Sequence, residues 1–499
     1  MNILVLMSDQ QRWDTLGCLN PSIKTPALDR LAAEGTVFER AYPTCPVCLP
    51  CRTSYLTGQY PSSTRANHNH TELPESVTPT LGSTFRDRGY YTHMIGKSHF
   101  SNCHDPLTKE SAPHIHNVEY YRSWKGPWYG FERADISIGH STEKHACGMH
   151  YGAWLEDHGV DRQQYFGHTS YEQYGPWDLP EEFHSSKWVA DMVIDGIGAA
   201  QKRDQPFLIW ANFQDPHNPC MVPEPWASMY DPEQIPRFGF KPGEPECFDS
   251  KPPLYRDLME QPGQYACKPS DPDLASAGNV SHLDWNSRQV QENAACYYGM
   301  VSLMDHHVAR ILDSLDERGL TDDTLVIFTS DHGDLLGDHG LWWKSLVAYE
   351  ESLRVPMIAR LPGRIPAGKK SAALQSLVDH FPTFCKLTDV PAPIECEGRD
   401  QSAVWLGEKE TEREMVIVEE RPSPSVWNER IIISQQYKLV YYAGRENGEL
   451  YDTDRDPDLI SNLWDSPDYR LIKEKLIRQI LDHEMNKRTP RPSPGVMAQ

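Results

Sequence analysis

Asn2-Ile3-Leu4-Val5-Leu6-Met7-Ser8-Asp9-Gln10 is a run of apolar residues delivered into a polar tail, and the same form recurs three times along the chain. Residues 91–95 run into Gly96-Lys97-Ser98-His99, residues 207–212 into Gln214-Asp215-Pro216-His217, and residues 325–329 into Ser330-Asp331-His332-Gly333-Asp334. A short apolar run without polar alternation predicts a strand buried on both faces. Helical spacing of apolar residues falls between the runs, over residues 26–33, 80–88 (closed by Gly89), 187–200 and 289–315. Strands alternating with helices predict an α/β fold, a large mostly parallel sheet sandwiched by helices. Ligands of such sheets bind beyond the carboxyl ends of the strands. The four polar tails are therefore expected to build one site.

Outward from these runs the pattern changes. Residues 101–184 are rich in Trp, Tyr, Gly and His, and residues 218–287 in Pro and polar groups; both read as insertions on the sheet. Near the end, residues 415–418, 430–434, 438–442 and 448–451 read as antiparallel strands, and residues 469–485 as an amphipathic helix. The expected division is a catalytic domain over 1–410 and a smaller C-terminal α+β subdomain over 411–499.

The chain has 499 residues, with 71 Asp and Glu against 48 Lys and Arg, a formal charge of −23. That balance speaks against nucleic acid or an anionic membrane surface as the main partner. It leaves room for an anionic small substrate at a locally basic site. No apolar run reaches the ~18 residues of a membrane span. The start lacks the basic segment and long apolar stretch of a signal peptide, so the expected location is cytoplasmic, or periplasmic or secreted if a leader has been removed. Scattered cysteines in a chain of this length are expected to be mostly free thiols.

Asp9, Gln10, Asp331 and His332 have the types of a divalent-metal site. Oxygen ligands suit calcium or magnesium, and the imidazole keeps manganese and zinc open. Asp334, Asp338 and His339 are expected to cap helices or to support these ligands through hydrogen bonds. The cluster Cys45-Pro46-Val47-Cys48-Leu49-Pro50-Cys51-Arg52 has iron–sulfur spacing, but Tyr55 stands where the next ligand would fall. Cys48-Leu49-Pro50-Cys51-Arg52 followed by Leu56-Thr57-Gly58 has instead the form C-x-P-x-R-x-x-x-L-T-G.

That form resembles the signature of the formylglycine-dependent sulfatases of the alkaline-phosphatase superfamily. Ser8-Asp9-Gln10, Gly96-Lys97-Ser98-His99, Asp215-Pro216-His217, Thr329-Ser330-Asp331-His332-Gly333 and Lys344 resemble the family's further elements, in family order. Glu449-Leu450-Tyr451-Asp452, Asp456-Pro457 and Asn462-Leu463 resemble its C-terminal segment. Two positions depart from the pattern: Gln10 replaces a carboxylate, and Cys51 replaces a Ser or Ala.

The resemblance implies that Cys48 is converted to formylglycine by a formylglycine-generating enzyme. One hydroxyl of the hydrated aldehyde would attack sulfur, and the other would expel sulfate. It implies one divalent ion, calcium or alternatively manganese, bound by Asp9, Gln10, residue 48, Asp331 and His332. Arg52 would hold the hydrate or the carboxylates, and position 48, at the start of a helix over residues 50–56, would favour an anion. Lys97 and Lys344 would bind sulfate, His99 would be the base for hemiacetal breakdown, and His217, sharing the role with Lys344, would donate a proton to the leaving group.

The leading expectation is a sulfuric-ester hydrolase. A phosphonate monoester hydrolase or phosphodiesterase shares formylglycine and the Asp-Gln…Asp-His set; Lys97 and His99 favour sulfate. Two further readings are a choline-sulfatase-like activity and an inactive binding protein on the same scaffold. The segment Tyr120-Tyr121-Arg122-Ser123-Trp124-Lys125-Gly126-Pro127-Trp128-Tyr129 interleaves rings and cations. Burial is the ordinary use of such rings. A cleft reading expects Trp124 and Trp128 to bind a sulfated mono- or oligosaccharide, with Arg122, Lys125 or Lys144 meeting a second anion.

Overall fold

The computed structural model describes residues 1–167, 172–236, 238–242, 244–260, 280–422 and 427–487. Its centre is an eight-stranded sheet of β1 (Asn2–Ser8), β2 (Thr36–Phe38), β3 (Tyr91–Lys97), β4 (Arg133–Ser137), β5 (Phe207–Asn212), β6 (Thr324–Ser330), β7 (Met357–Arg360) and β8 (Lys369–Ser371). The spatial order is β8-β2-β7-β6-β1-β5-β3-β4. Only β7 runs against the others, so the sheet is mostly parallel as expected. β1 lies between β6 and β5, with Ser8 opposite Ser330 and Met7 opposite Asn212. That register brings Asp9, Asp331 and the chain after Asn212 out of the sheet side by side.

Both faces of β1 are covered. Leu4 and Leu6 pack with Leu28 and Leu31 of α1 (Pro26–Glu34), Val193 of α3 (Ser185–Lys202) and Ile311 of α4 (Ser287–Glu317). Ile3, Val5 and Met7 face Tyr55 and Leu56 of α2 (Cys48–Thr57) and Phe381 and Phe384 of α5 (His380–Leu387). Burial of such side chains is worth about 1.5–3 kcal/mol each before conformational entropy is counted. Every residue of α2 is buried. The helix stops at Gly58, whose φ of 68° lets its N–H reach the carbonyl of Ser54 at 2.8 Å.

The structure departs from the sequence reading at several elements. The apolar runs predicted four strands of the main sheet, and β2, β4, β7 and β8 join them. β4 reads Arg-Ala-Asp-Ile-Ser, with no apolar run to announce it; its Asp135 is buried because His93, Lys125 and Arg133 surround it. Residues 101–184 are therefore not wholly an insertion, since they carry a sheet strand. The helix expected over 80–88 is shorter, Leu81–Arg86. Thr80 caps it by accepting from the Ser83 N–H at 3.1 Å, and Gly89 lies in the turn beyond. The expected segment 218–287 is partly outside the described residues; its described end, Val280–Ser281, pairs with Trp342–Trp343 beside Lys344.

A second sheet is a four-stranded antiparallel meander of β9 (Met415–Glu420), β10 (Glu429–Ser434), β11 (Tyr437–Tyr442) and β12 (Gly448–Asp452). α6 (Arg470–Asn486) packs on it through Leu476 and Ile480. Among the described residues no helix is long and apolar enough to cross a membrane. The described cysteines are free thiols, and Cys267 lies outside the described residues.

Candidate active site

The four polar tails meet at the carboxyl edge of the sheet, over the first turn of α2. Cys48 is the first residue of that helix, with its sulfur 3.1 Å from His332 Nε2, 3.3 Å from Lys344 Nζ and 3.8 Å from Asp9 Oδ1. Burial opposes ionisation of this thiol, yet Lys344, Lys97 and His332 outweigh it and hold it well below the ordinary thiol range. Burial pushes Cys45 and Cys51 the other way, with nearby acids adding to it. Of the three clustered cysteines only Cys48 is activated, and the metal–thiolate cluster reading has no support.

Arg52, one turn along α2, is fully buried. Its Nε donates to Asp331 Oδ2 at 2.8 Å, and one terminal nitrogen donates to Asn212 Oδ1 at 2.9 Å and to the Lys97 carbonyl at 3.1 Å. It thereby ties α2 to the ends of β3, β5 and β6. Its other terminal nitrogen has no protein partner.

Asp9 and Asp331 are both buried at 0% exposure. Two carboxylates at that depth need compensating charge. Lys97 Nζ bonds Asp9, and burial of Asp9 is outweighed by this ammonium, so its carboxyl lies well below its usual range. Asp331 accepts from Arg52 and from the Gln10 backbone N–H at 3.0 Å. His332 Nδ1 lies 2.9 Å from the Gly333 carbonyl. A carbonyl only accepts, so Nδ1 donates there and Nε2 is the ring atom that faces the site.

Gln10 has a left-handed backbone with φ 64°. Its side-chain nitrogen donates to Asn218 Oδ1 at 3.0 Å and to Asp334, and its oxygen accepts from Lys344 Nζ. The amide oxygen is thus turned inward by two outer acceptors. Asp9, Asp331 and His332 converge with Cys48 to within 4.8 Å of one another. Two carboxylates, one inward amide oxygen and one imidazole nitrogen fit a hard divalent cation.

Asp334 supports Gln10 as expected. Asp338 and His339 are turned away from the site, toward Arg12 and Lys241 and toward Glu244 and Glu351 respectively.

The expected substrate groups assemble around Cys48. Lys344 also lies 3.0 Å from His217 Nε2. His217 Nδ1 is 2.6 Å from the Asn218 carbonyl, so Nδ1 donates there and Nε2 accepts from Lys344. Burial first, then His140 and Lys344, hold His217 well below the ordinary imidazole range. In this geometry His217 Nε2 is the acceptor and Lys344 its donor. His99 has φ 63°, pinned by Glu110, which accepts from the N–H groups of His99, Phe100 and Ser101 at 2.6–2.7 Å. Burial lowers the pKa of its ring, and its Nδ1 has no protein partner, as a candidate base requires.

Trp124 and Trp128 lie elsewhere. Trp128 is 2% exposed in the main core, and its Nε1 donates to Ser98 Oγ at 2.8 Å. Trp124 is half-buried, stacked on Tyr120 and His150 at 5.6 Å. Neither offers a face to the site, because their ring area is spent on the packing of 112–155 against β3 and β4. Arg122 is held by Glu119, Glu156 and Asp157, and Lys125 by Asp135.

Two contributions escaped the sequence reading. His140 stacks on His217 with ring centres 3.3 Å apart, and its Nε2 lies 2.6 Å from Lys97 Nζ. It sits in a histidine-rich stretch where no spacing singled it out. Glu420, at the end of β9, accepts from Ser345 Oγ and from the Leu346 N–H at 2.9 Å. Trp343, Ser345 and Leu346 have φ of 69°, 82° and 62°, so Lys344 sits in a strained loop. Each left-handed non-glycine costs about 1–3 kcal/mol. The second sheet restrains that loop through Glu420.

A family model described as Sulfatase matches residues 1–390, and one described as N-sulphoglucosamine sulphohydrolase, C-terminal, matches residues 337–486. The chain is 28% identical to an arylsulfatase of Clostridium perfringens (strain 13 / Type A), over 98% of this chain and 95% of that protein. It is 24% identical to an N-acetylglucosamine-6-O-sulfatase of Bacteroides thetaiotaomicron, over 96% and 85%. The structure of a phosphonate monoester hydrolase of Agrobacterium radiobacter superposes with a TM-score of 0.78 at 25% identity, covering 98% of this chain and 96% of that one.

The fold and the buried site thus define a hydrolase of the alkaline-phosphatase superfamily. The sequence match narrows this class. The chain belongs to the sulfatase family, and it is a sulfuric-ester hydrolase.

Proposed function

We propose that this enzyme desulfates a sulfated saccharide, using formylglycine made from Cys48 and one divalent ion, calcium or alternatively manganese. The observation that carries the reading is the convergence of His332 Nε2 and Lys344 Nζ on the Cys48 sulfur at 3.1 and 3.3 Å, at the first turn of a buried helix. The saccharide preference is supported by the name of the relative from Bacteroides thetaiotaomicron. Asp9, Gln10, Asp331 and His332 would hold the ion, which supplies charge that acidifies the attacking hydroxyl and draws charge off the sulfate oxygens. Formylglycine supplies paired hydroxyls, one to attack sulfur and one to release sulfate.

The remaining work falls to side chains. Lys97 and Lys344 neutralise sulfate, and removal of one such contact typically costs ~10²–10³ in rate. Lys344 donates toward the leaving oxygen, and His217 Nε2 orients that ammonium. His99 takes the hydroxyl proton when sulfate is expelled. Arg52 keeps Asp331 and α2 in register. The second reading, a phosphonate monoester hydrolase, is favoured by the inward Gln10 amide and by the superposition on the Agrobacterium radiobacter enzyme. Lys97, His99 and His140 beside Cys48 favour sulfate. Enzyme matured with a formylglycine-generating enzyme should carry an aldehyde at residue 48 by peptide mass. It should release sulfate from sugar sulfates faster than it cleaves a phosphonate ester or a phosphodiester. The reverse order would install the second reading.

A further inference from the structure

β3 delivers the chain to the site through a corner with two left-handed residues, Gly96 at φ 79° and His99 at φ 63°. A Cβ at position 96 would meet the Asn212 carbonyl at 1.8 Å, so glycine is required there. Lys97 and Ser98 stand between the two, and the fold holds both. Lys97 is the last residue of β3 and bonds Asp9. The Ser98 N–H donates to the Ser137 carbonyl at 3.0 Å, and Ser98 Oγ accepts from Trp128 Nε1 at 2.8 Å. Beyond the corner the Phe100 carbonyl accepts from the Leu73 N–H at 2.9 Å, and the Phe100 ring packs on Tyr129 at 4.7 Å. The His99 N–H is left to Glu110.

Glu110 is fully buried. One of its oxygens accepts from the His99 N–H at 2.6 Å. The other accepts from the N–H groups of Phe100 and Ser101 at 2.7 and 2.6 Å and from Ser101 Oγ at 2.9 Å. Four donors suit a carboxylate, which only accepts, whereas an amide of the same shape brings N–H groups of its own. Among the described residues no cation pairs with Glu110, so these four bonds offset its burial. The loop that carries it is closed locally. Thr108 Oγ1 donates to the carbonyls of Asn102 and Asp105 at 2.7 and 3.0 Å, and Lys109 pairs with Glu75 at 2.6 Å. A strained residue is thus held by a buried side chain from a separate loop. His99 itself lines a cavity of about 330 Å³ together with His140, and its ring Nδ1 has no protein partner.

We infer that Glu110 is the positioning residue of the base: it holds His99 in its left-handed conformation, and through that backbone it sets where the imidazole stands against residue 48. This rests on the reading above, in which residue 48 is formylglycine and His99 acts when sulfate is expelled. In that step His99 takes the hydroxyl proton, the O–H pair becomes the second bond of the carbonyl, and the C–O bond to sulfate breaks with its pair leaving on sulfate. A group about 1 Å out of place loses on the order of 10²-fold in rate. Attack on sulfur does not use His99, and Lys97 keeps its own anchors in β3 and at Asp9. Loss of Glu110 therefore slows sulfate release and spares the first step.

The test follows phenol and sulfate in the same rapid-quench samples, with matured, metal-loaded enzyme and a chromogenic aryl sulfate. Glu110→Gln should lower kcat by ~10–100-fold. KM should fall alongside, so that kcat/KM is nearly unchanged. Phenol should run ahead of sulfate in a burst of about one per active enzyme, as it should in His99→Ala. Glu110→Asp keeps both oxygens on a shorter stem and should show the same pattern more weakly; it carries the test if Glu110→Gln does not fold. Independently of turnover, hydrogen exchange at the amides of His99, Phe100 and Ser101 should quicken in both Glu110 variants. Parallel loss of kcat and kcat/KM without a phenol burst, or full activity despite faster exchange, would make Glu110 a structural residue and overturn the inference. Unchanged exchange at those amides would overturn it as well. If His99→Ala bursts and the Glu110 variants do not, the inference falls and the base assignment stands. If His99→Ala shows no burst, the base assignment falls and takes the inference with it.

Discussion

Cys48 owes its reactivity to company rather than to type. Three thiols lie within seven residues, and only the one at the helix start, with Lys344 and His332 against its sulfur, is pulled toward the thiolate. Cys48→Ala should therefore abolish turnover, at least ~10⁴-fold below the parent, while thermal unfolding shifts by no more than a few degrees. An active Cys48→Ala enzyme would sink the mechanism. The metal assignment is tested at the same scale. Excess chelator should stop the reaction, calcium or manganese should restore it, and Asp331→Asn should resemble the chelated protein. Full activity in chelator, with no metal found by elemental analysis, would end that assignment. Cys48 was legible from its C-x-P-x-R form, whereas Asp9 and Asp331 were legible because each follows an apolar run, and the register of β1 with β5 and β6 turns that local pattern into one site. His140 was not legible, because what places it is stacking on His217, a contact no spacing encodes. Trp124 and Trp128 misled because interleaved rings and cations look alike whether they line a cleft or cover a core.

Between elements, the second sheet reaches the site through one side chain. Glu420 lies at the end of β9, buried opposite Glu429 of β10, and it accepts from Ser345 and Leu346, two consecutive left-handed residues. Without both acceptors the strained turn loses its restraint, and Lys344 loses its fixed distance from residue 48. Glu420→Ala is expected to lower kcat by ~10–100-fold and to weaken inhibition by sulfate ion. Glu420→Gln keeps one acceptor oxygen and should fall between Ala and wild type. Parallel loss of kcat and of folded protein, without the change in sulfate inhibition, would reduce Glu420 to an ordinary structural residue. The sequence pointed to β9 and β10 by their β-branched runs, but not to this role. A Glu at a strand end reads as a solvated charge until the fold buries it. β4 shows the same limit, since Asp135 enters the sheet only because His93, Lys125 and Arg133 surround it.

Over the whole molecule, buried neutral histidines link stability to pH. His380, under α2, is fully buried between Tyr55, Phe384 and Trp405, and its Nδ1 lies 3.1 Å from the Tyr55 hydroxyl. Burial lowers its pKa to about 3 against an ordinary 6.5, and burial likewise holds His150 to about 4. Below pH 6.5 the unfolded chain takes up a proton at His380 that the folded protein refuses until about pH 3. The stability contributed by the neutral ring is therefore complete above pH 6.5 and is lost as pH falls toward 3. Several buried carboxyls work the other way; Asp305, raised by burial to about 7, favours the folded state as pH falls. The net curve is thus a sum of opposing groups, and the informative quantity is a difference. His380→Asn keeps an acceptor for Tyr55 and removes the titration. It should cost stability at every pH through lost packing, and it should also flatten the dependence between pH 6.5 and 4.5 by about one proton, ~1.4 kcal/mol per pH unit. Urea unfolding of both proteins across that window measures the slope. Parallel curves, offset but equally steep, would mean that His380 takes its proton in the folded core.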